Sequence, residues 1–326
     1  MFGNHGKNKY LYVKKYKVSI KSSSSYLPPK VVSNFDIAKK IDTSDEWIYN
    51  KLGIKERRIA ENESVSEMGY KVAVLAISNA NINKEDIDMI IVATSSPEKI
   101  SPSIACTIHE KLKLQKNIPA FDINAVCSGF IYGLTVAASM IDGGTCNRVL
   151  LIATESYSKN TNWDDRHSVF FGDGAGAVIL EKSEKGWIYS ELHANGSGTG
   201  MTGFKQPLKE PFIMNAKEVW DQAVLVLPNS IKQVLLNTNT SIEEITMLVP
   251  HQPSINILKL IANNINIPMT KVKTVMEKYG NIAGASIPIA LHEALTNNEI
   301  VKGDKIILTA IGSGWTWGTI LINYEN

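Results

Sequence analysis

Phe121-Asp122-Ile123-Asn124-Ala125-Val126-Cys127-Ser128-Gly129-Phe130 reads as the end of an apolar strand running directly into a helix, which continues through Ile131, Leu134 and Ala138 at helical spacing. The stretch has a counterpart in the second half of the chain. Asn124 aligns with Asn281, Ile91 with Leu248 and Leu150 with Ile307, each pair 157 residues apart. At the same offset the helical segment 129–137 maps onto 286–294 without a gap. Three matches at one spacing predict a duplicated unit. The expected organisation is two similar α/β halves, residues 1–185 and 186–326, joined near Glu181 to Lys185, with loops meeting between them.

The strand candidates are continuous apolar runs: Met89 to Ala93, Val149 to Ala153, Ala175 to Leu180, Met247 to Val249, Lys305 to Thr309 and Thr319 to Ile322. Runs of this kind suit strands buried on both faces, with helices covering them. The Ser22 to Ser25 run is expected to cap the first strand.

Composition narrows the class of protein. The chain has 326 residues, 44% of them hydrophobic and 20% charged, with a formal net charge of +2. That balance fits a globular protein and gives no footprint for nucleic acid. Beyond Lys14-Lys15-Tyr16-Lys17, read as a solvated strand edge, there is no basic block. Three scattered cysteines make no disulfide framework. No apolar run reaches the ~20 residues of a membrane span, and Met1 to Lys9 lack the apolar core of a signal peptide. The expectation is a soluble, cytoplasmic protein.

Cys127 falls where a helix begins, so free backbone N–H groups and the helix dipole are expected to lower its thiol pKa and favour the nucleophilic thiolate. Its own N–H is also a candidate oxyanion donor. Position alone equally fits a small residue at a tight junction. Cys106 and Cys146 read as structural. His251, in Val249-Pro250-His251-Gln252, follows a strand end and suits a neutral imidazole donating to a carbonyl oxygen, or a plain loop histidine. Asn281, in Tyr279-Gly280-Asn281, offers an uncharged amide donor, or a turn former or N-cap. Phe171 to Gly176 precedes a strand, so it is not a dinucleotide fingerprint and reads as tight packing. Gly312 to Gly318 follows a strand and offers N–H groups to an oxyanion, or forms a structural hairpin.

With these residues in place the chain resembles the thiolase superfamily, and within it the β-ketoacyl-acyl carrier protein synthase III family, over nearly its whole length. The carrying motifs are Thr43-Ser44-Asp45-Glu46-Trp47-Ile48, the Cys127 segment, Phe171 to Gly176, Val249-Pro250-His251-Gln252, Tyr279-Gly280-Asn281 and Trp317-Gly318. The resemblance implies a five-layered αβαβα fold, a homodimer and a ping-pong reaction. An acyl group from acyl-CoA would load onto Cys127, and malonyl-acyl carrier protein would then lose CO2 with His251 and Asn281 steadying the enolate. The N–H groups of Cys127 and Ser313 would hold the oxyanion. The resemblance assigns Thr43, Trp47, Lys51, Arg166 and Ser254 to coenzyme A, and Ser101, Tyr157 and Ile311 to the acyl pocket. It implies no resident cofactor or metal, coenzyme A thioesters being substrates. Lack of a second cysteine in the Gly312 to Gly318 loop separates the chain from true thiolases.

Departures from the family pattern concern recognition. Lys51 replaces an arginine, the loop after Arg166 and the stretch from Asn195 to Trp220 are short, and an extension precedes the first strand. Asn256, Asn263, Asn264 and Asp221 stand where basic residues commonly dock an acidic carrier. Ser101 stands where a bulky aromatic gates the acyl pocket, which implies a larger or branched primer. The alternatives are a specialised ketosynthase or acyltransferase of a polyketide or other secondary pathway, and a catalytically silent subunit that binds acyl chains.

Overall fold

The structure, a computed structural model, describes residues 14–203 and 213–326. The N-terminal extension before Lys14 and residues 204–212 of the shortened Asn195 to Trp220 stretch lie outside the described residues.

Two sheets carry the fold. The first is built from β1 (Val18–Tyr26), β2 (Met89–Ala93), β3 (Ala120–Ile123), β4 (Arg148–Ser156) and β5 (Asp173–Lys182), in the spatial order β1-β5-β4-β2-β3. The second comprises β6 (Trp187–Ala194), β7 (Ile245–Pro250), β8 (Lys305–Gly312) and β9 (Thr316–Asn323), in the order β7-β8-β9-β6. In each sheet a parallel pair (β2/β4, β7/β8) is extended by two antiparallel strands. The first sheet adds β3 beside β2. In the second, the matching place beside β7 holds, among the described residues, only the isolated bridge Leu248 to Val272. The sheets separate at residues 183–186, between β5 and β6.

Alternation along the strands explains the layers. Met89, Ile91 and Ala93 pack with α1 (Gly129–Asp142) and α2 (Ser286–Thr296), whereas Ile90 and Val92 pack on the opposite face. Both faces being apolar, helices must cover both. α1 and α2 fill the space between the sheets, so α1 is apolar nearly all round, with Phe130, Ile131, Leu134, Ala137 and Ala138 all fully buried. Helices at Val65–Ala80 and Ile104–Leu112 cover the first sheet, and those at Ala216–Thr238 and Ile255–Ile265 cover the second. The result is the five-layered αβαβα arrangement.

Two local expectations need correction. The serine run does not cap β1; it lies inside the strand, where Ser22 and Ser24 donate to the Ala76 and Val72 carbonyls, each at 2.8 Å. Short hydroxyl side chains let β1 approach the helix at Val65–Ala80 closely while satisfying buried polar groups. Of the two cysteines read as structural, Cys146 is buried but Cys106 is exposed. Among the described residues, no helix is long and apolar enough to cross a membrane.

Candidate functional site

The junction ahead of α1 is a single 3-10 turn, Val126–Ser128, and Cys127 sits in its middle rather than in the helix itself. A matching turn, Ala283–Ala285, precedes α2. The duplication reaches individual torsions: Val126 has φ +50° and Ala283 has φ +41°, both in the left-handed region that β-branched and other non-glycine residues avoid. Each is held by the asparagine two residues earlier, Asn124 Oδ1 accepting from the Val126 N–H at 3.3 Å and Asn281 Oδ1 from the Ala283 N–H at 2.9 Å. One local solution thus carries a nucleophile candidate in one half and an amide candidate in the other.

A cavity of about 320 Å³ is lined by Cys127 from the first of these turns, and by His251 and Asn281. Tyr157, Ile311 and Ser313 also face it. The β8–β9 hairpin brings Gly312 onto the Cys127 turn so closely that a Cβ there would stand 2.7 Å from the Ala125 carbonyl and 3.0 Å from the Cys127 nitrogen. Ser128 Oγ binds both the Ala125 carbonyl and Thr316 Oγ1, each at 2.8 Å, fastening turn to hairpin. The Gly312 to Gly318 segment is therefore both a hairpin and a wall of the site. Gly172, in the other glycine-rich segment, passes so close to Tyr279 that a Cβ would meet its carbonyl oxygen at 2.2 Å.

His251 is 4% exposed, and its backbone N–H donates to the Thr309 carbonyl at 2.8 Å. Gln252 behind it is a fully buried amide, donating to Pro250 and Lys273 carbonyls and accepting from the Val275 N–H. Burial lowers the His251 pKa to about 4, the Ala283 backbone opposing this only in part, so the ring is neutral at pH 7. Asn281 is likewise held at its backbone, donating to the Phe170 carbonyl at 2.9 Å and accepting from the Gly172 N–H at 3.0 Å. With Oδ1 taken by Ala283, its NH2 is the uncommitted end.

The lowered thiol pKa expected from the helix start is not found. Burial, and then the negative charge of Glu155, push the Cys127 thiol well above its ordinary value. Desolvation of a thiolate outweighs what a short turn and its dipoles return. Glu155, a residue that no motif in the sequence marks, is the source of that charge. It stands next to last in β4, fully buried, and burial raises its pKa to about 7 against the hydrogen bonds of Ser96 and Ser95. The available signal was an acid closing the apolar run Val149 to Ala153, since a buried carboxyl needs a reason.

Toward the mouth, Trp47, Lys51 and Ser254 line the cavity, and the Arg166 guanidinium lies over the Trp47 ring at 4.4 Å. Ser254 caps the helix at Ile255–Ile265. Thr43 does not reach the cavity; its Oγ1 is buried without a hydrogen-bond partner among the described residues. Ser101 is exposed on the loop after β2 and is not among the residues that line the cavity within this chain. A side chain on an outward loop cannot shorten a pocket bounded by its own core. Asn256 is committed, donating to the Asn50 and Lys51 carbonyls, and Asp221 pairs with Lys217.

Known proteins agree with this arrangement. The family description for the 3-oxoacyl-[acyl-carrier-protein] synthase III C-terminal region matches residues 235–324, and that for 3-oxoacyl-[acyl-carrier-protein] synthase III matches residues 121–196. The β-ketoacyl-[acyl-carrier-protein] synthase III of Aquifex aeolicus is 41% identical over 312 residues, covering 92% of this chain and 97% of that protein. The solved structure of 3-oxoacyl-[acyl-carrier-protein] synthase III from Aquifex aeolicus superposes with a TM-score of 0.91, covering 94% of this chain and 100% of the other. The priming β-ketosynthase of the R1128 polyketide biosynthetic pathway superposes with a TM-score of 0.90 at 26% identity, covering 97% and 99%.

Proposed function

The chain belongs to the 3-oxoacyl-[acyl-carrier-protein] synthase III family of condensing acyltransferases, and on that footing we propose that Cys127, His251 and Asn281 carry its reaction. The observation that carries the proposal is their convergence on one cavity: a thiol, a neutral imidazole and an uncommitted amide NH2. Cys127 attacks the acyl-CoA thioester; its proton leaves with the coenzyme A thiolate, and an acyl-S-Cys127 thioester forms. Malonyl-acyl carrier protein then enters and loses CO2. His251 and Asn281 donate to its thioester oxygen as enolate charge develops, which two uncharged donors in a dry site do effectively. The enolate carbon attacks the Cys127 thioester, and the N–H groups of Cys127 and Ser313 hold the oxyanion. Collapse frees the Cys127 thiolate and a β-ketoacyl-carrier product.

Support for coenzyme A at the mouth comes from the stacked Trp47 and Arg166, planar groups suited to an adenine, with Lys51 and Ser254 on the adjoining wall. Thr43, off the cavity, would act only at the outer rim. Tyr157 and Ile311 border the acyl pocket. The expected homodimer draws on β3, which among the described residues is a sheet edge carrying half-buried Phe121, and on Ile100, which is 91% exposed. A larger or branched primer still depends on Ser101, which can touch an acyl chain only in the pocket of a second copy.

A second reading, a priming synthase of a polyketide-type pathway, draws on the R1128 similarity and on the neutral Asn256, Asn263 and Asn264 of the helix at Ile255–Ile265. A panel of acyl-CoA thioesters read by intact-protein mass separates the two. Acetyl or short branched adducts on wild type, absent in Cys127→Ala, fit the fatty-acid primer role, and adducts confined to unusual acyl groups fit the second. Absence of any adduct would overturn both.

A further inference from the structure

We infer that Glu155 is a positioning residue for the condensing reaction, a carboxyl that ties the loop behind Cys127 to the turn that follows Asn281. The inference rests on the condensing role proposed for that cavity. Its geometry is independent of it. Glu155 accepts from the Ser95 N–H at 3.2 Å, from Ser95 Oγ at 2.9 Å and from Ser96 Oγ at 2.5 Å, all on the loop leaving β2. From the other half comes Gly284, whose backbone lies close enough to the carboxyl to hold its pKa down. A Cβ at position 284 would lie 3.2 Å from Glu155 Oε1 and 3.0 Å from the Val126 carbonyl, so this turn lies against both Glu155 and the Cys127 turn.

Two consequences give that placement a use. Gly284 follows Ala283, whose N–H fixes the Asn281 amide, so the carboxyl anchors the turn that aims the NH2. Ser95 Oγ also meets the Tyr157 hydroxyl at 2.7 Å, so the same group steadies a wall of the cavity. Among the described residues no cation pairs with Glu155. A buried carboxyl held only by dipoles is a poor device for stability alone, which an apolar side chain serves better. Its charge is felt by Cys127 and Tyr157, the titratable groups facing it, while the β2 loop and the Ala283–Ala285 turn present hydroxyls and backbone.

The test uses Glu155→Gln and Glu155→Asp in the full chain, with three readouts: iodoacetamide alkylation of Cys127 against pH, acyl transfer from acyl-CoA to Cys127, and CO2 release from malonyl-carrier by the acylated protein. Glu155→Gln removes the charge and is expected to move the alkylation midpoint down by about one pH unit or more. It is also expected to slow CO2 release on the order of 10²-fold, with a far smaller change in acyl transfer. Glu155→Asp keeps the charge but withdraws from Gly284, so the midpoint stays and CO2 release still falls. A wild-type midpoint together with wild-type CO2 release in Glu155→Gln would overturn the inference. So would equal loss of both half-reactions with an unmoved midpoint, the mark of a purely structural residue. If Glu155→Gln does not fold, wild-type CO2 release by Glu155→Asp overturns it. Should wild type itself fail to take an acyl group, the condensing role falls, while the alkylation profile still reports on Glu155.

Discussion

Asn281 Oδ1 accepts the Ala283 backbone N–H at 2.9 Å, and this one bond decides which end of the amide is left for a substrate. That bond fixes the orientation of the amide, and among the described residues its NH2 donates no hydrogen bond. Asn281→Asp preserves shape and the Ala283 bond but replaces the donor with a second acceptor. It is expected to cut decarboxylation by roughly 10²- to 10³-fold, the usual cost of one lost oxyanion donor, while leaving Cys127 acylation intact. Labelled CO2 release and intact-protein mass measure the two steps, and equal loss in both would remove Asn281 from the second step.

Gly312 faces the Cys127 turn with no room for a side chain. Gly312→Ala must push its methyl into the Ala125 carbonyl and the Cys127 nitrogen, both rigid backbone. The expected cost is about 1–3 kcal/mol, read as a lower urea midpoint, together with slower acylation because the oxyanion donor moves. Unchanged stability and rate would mean the hairpin yields freely.

Opposed protonation gives a distinctive pH dependence. His251 has a pKa near 4 in the fold against an ordinary 6.5, so the unfolded chain binds the extra proton first and stability is lost as pH falls from 6.5 to 4. Glu155 has about 7 against 4.5, so the folded chain binds the proton first and stability is lost as pH rises from 4.5 to 7. Each amounts to ~3 kcal/mol and the two nearly cancel. His251→Gln is expected to become more stable on acidification from pH 7 to 5, and Glu155→Gln less stable. Urea midpoints at the two pH values test it, and parallel slopes in the two variants would defeat it.

The Arg166 guanidinium lies over the ring of Trp47, which lines the cavity. Trp47→Ala and Arg166→Ala are each expected to raise KM for acyl-CoA on the order of tenfold with little change in kcat, since they lose uniform binding. Arg166→Lys should rescue poorly, because an ammonium cannot stack as a plane. A fall in kcat at unchanged KM would place these residues elsewhere in the cycle.

Among the described residues, β3 ends its sheet with no neighbour on one side. Phe121→Lys would put a charge on that edge and is expected to raise the dimer dissociation constant at least tenfold by sedimentation equilibrium. A chain that is monomeric before the change, or dimeric regardless of it, would dismiss this edge as the interface.

The architecture, and the side chains that meet at the cavity, were determined by the sequence. Periodicity and the 157-residue repeat are local and additive signals, and they carried through to matched strands, to α1 and α2, and to the paired torsions of Val126 and Ala283. Tertiary structure alone decided what surrounds those groups. Cys127 is a raised-pKa thiol because distant segments bury it and Glu155 lies beneath it, a balance of desolvation and charge that no spacing encodes. Ser101 matched a position in a pattern, yet its loop turns outward in this chain. The serine run lay in β1 because a helix packs against it there. Burial is a property of the assembled layers, so the electrostatics of Cys127, His251 and Glu155 had to wait for them.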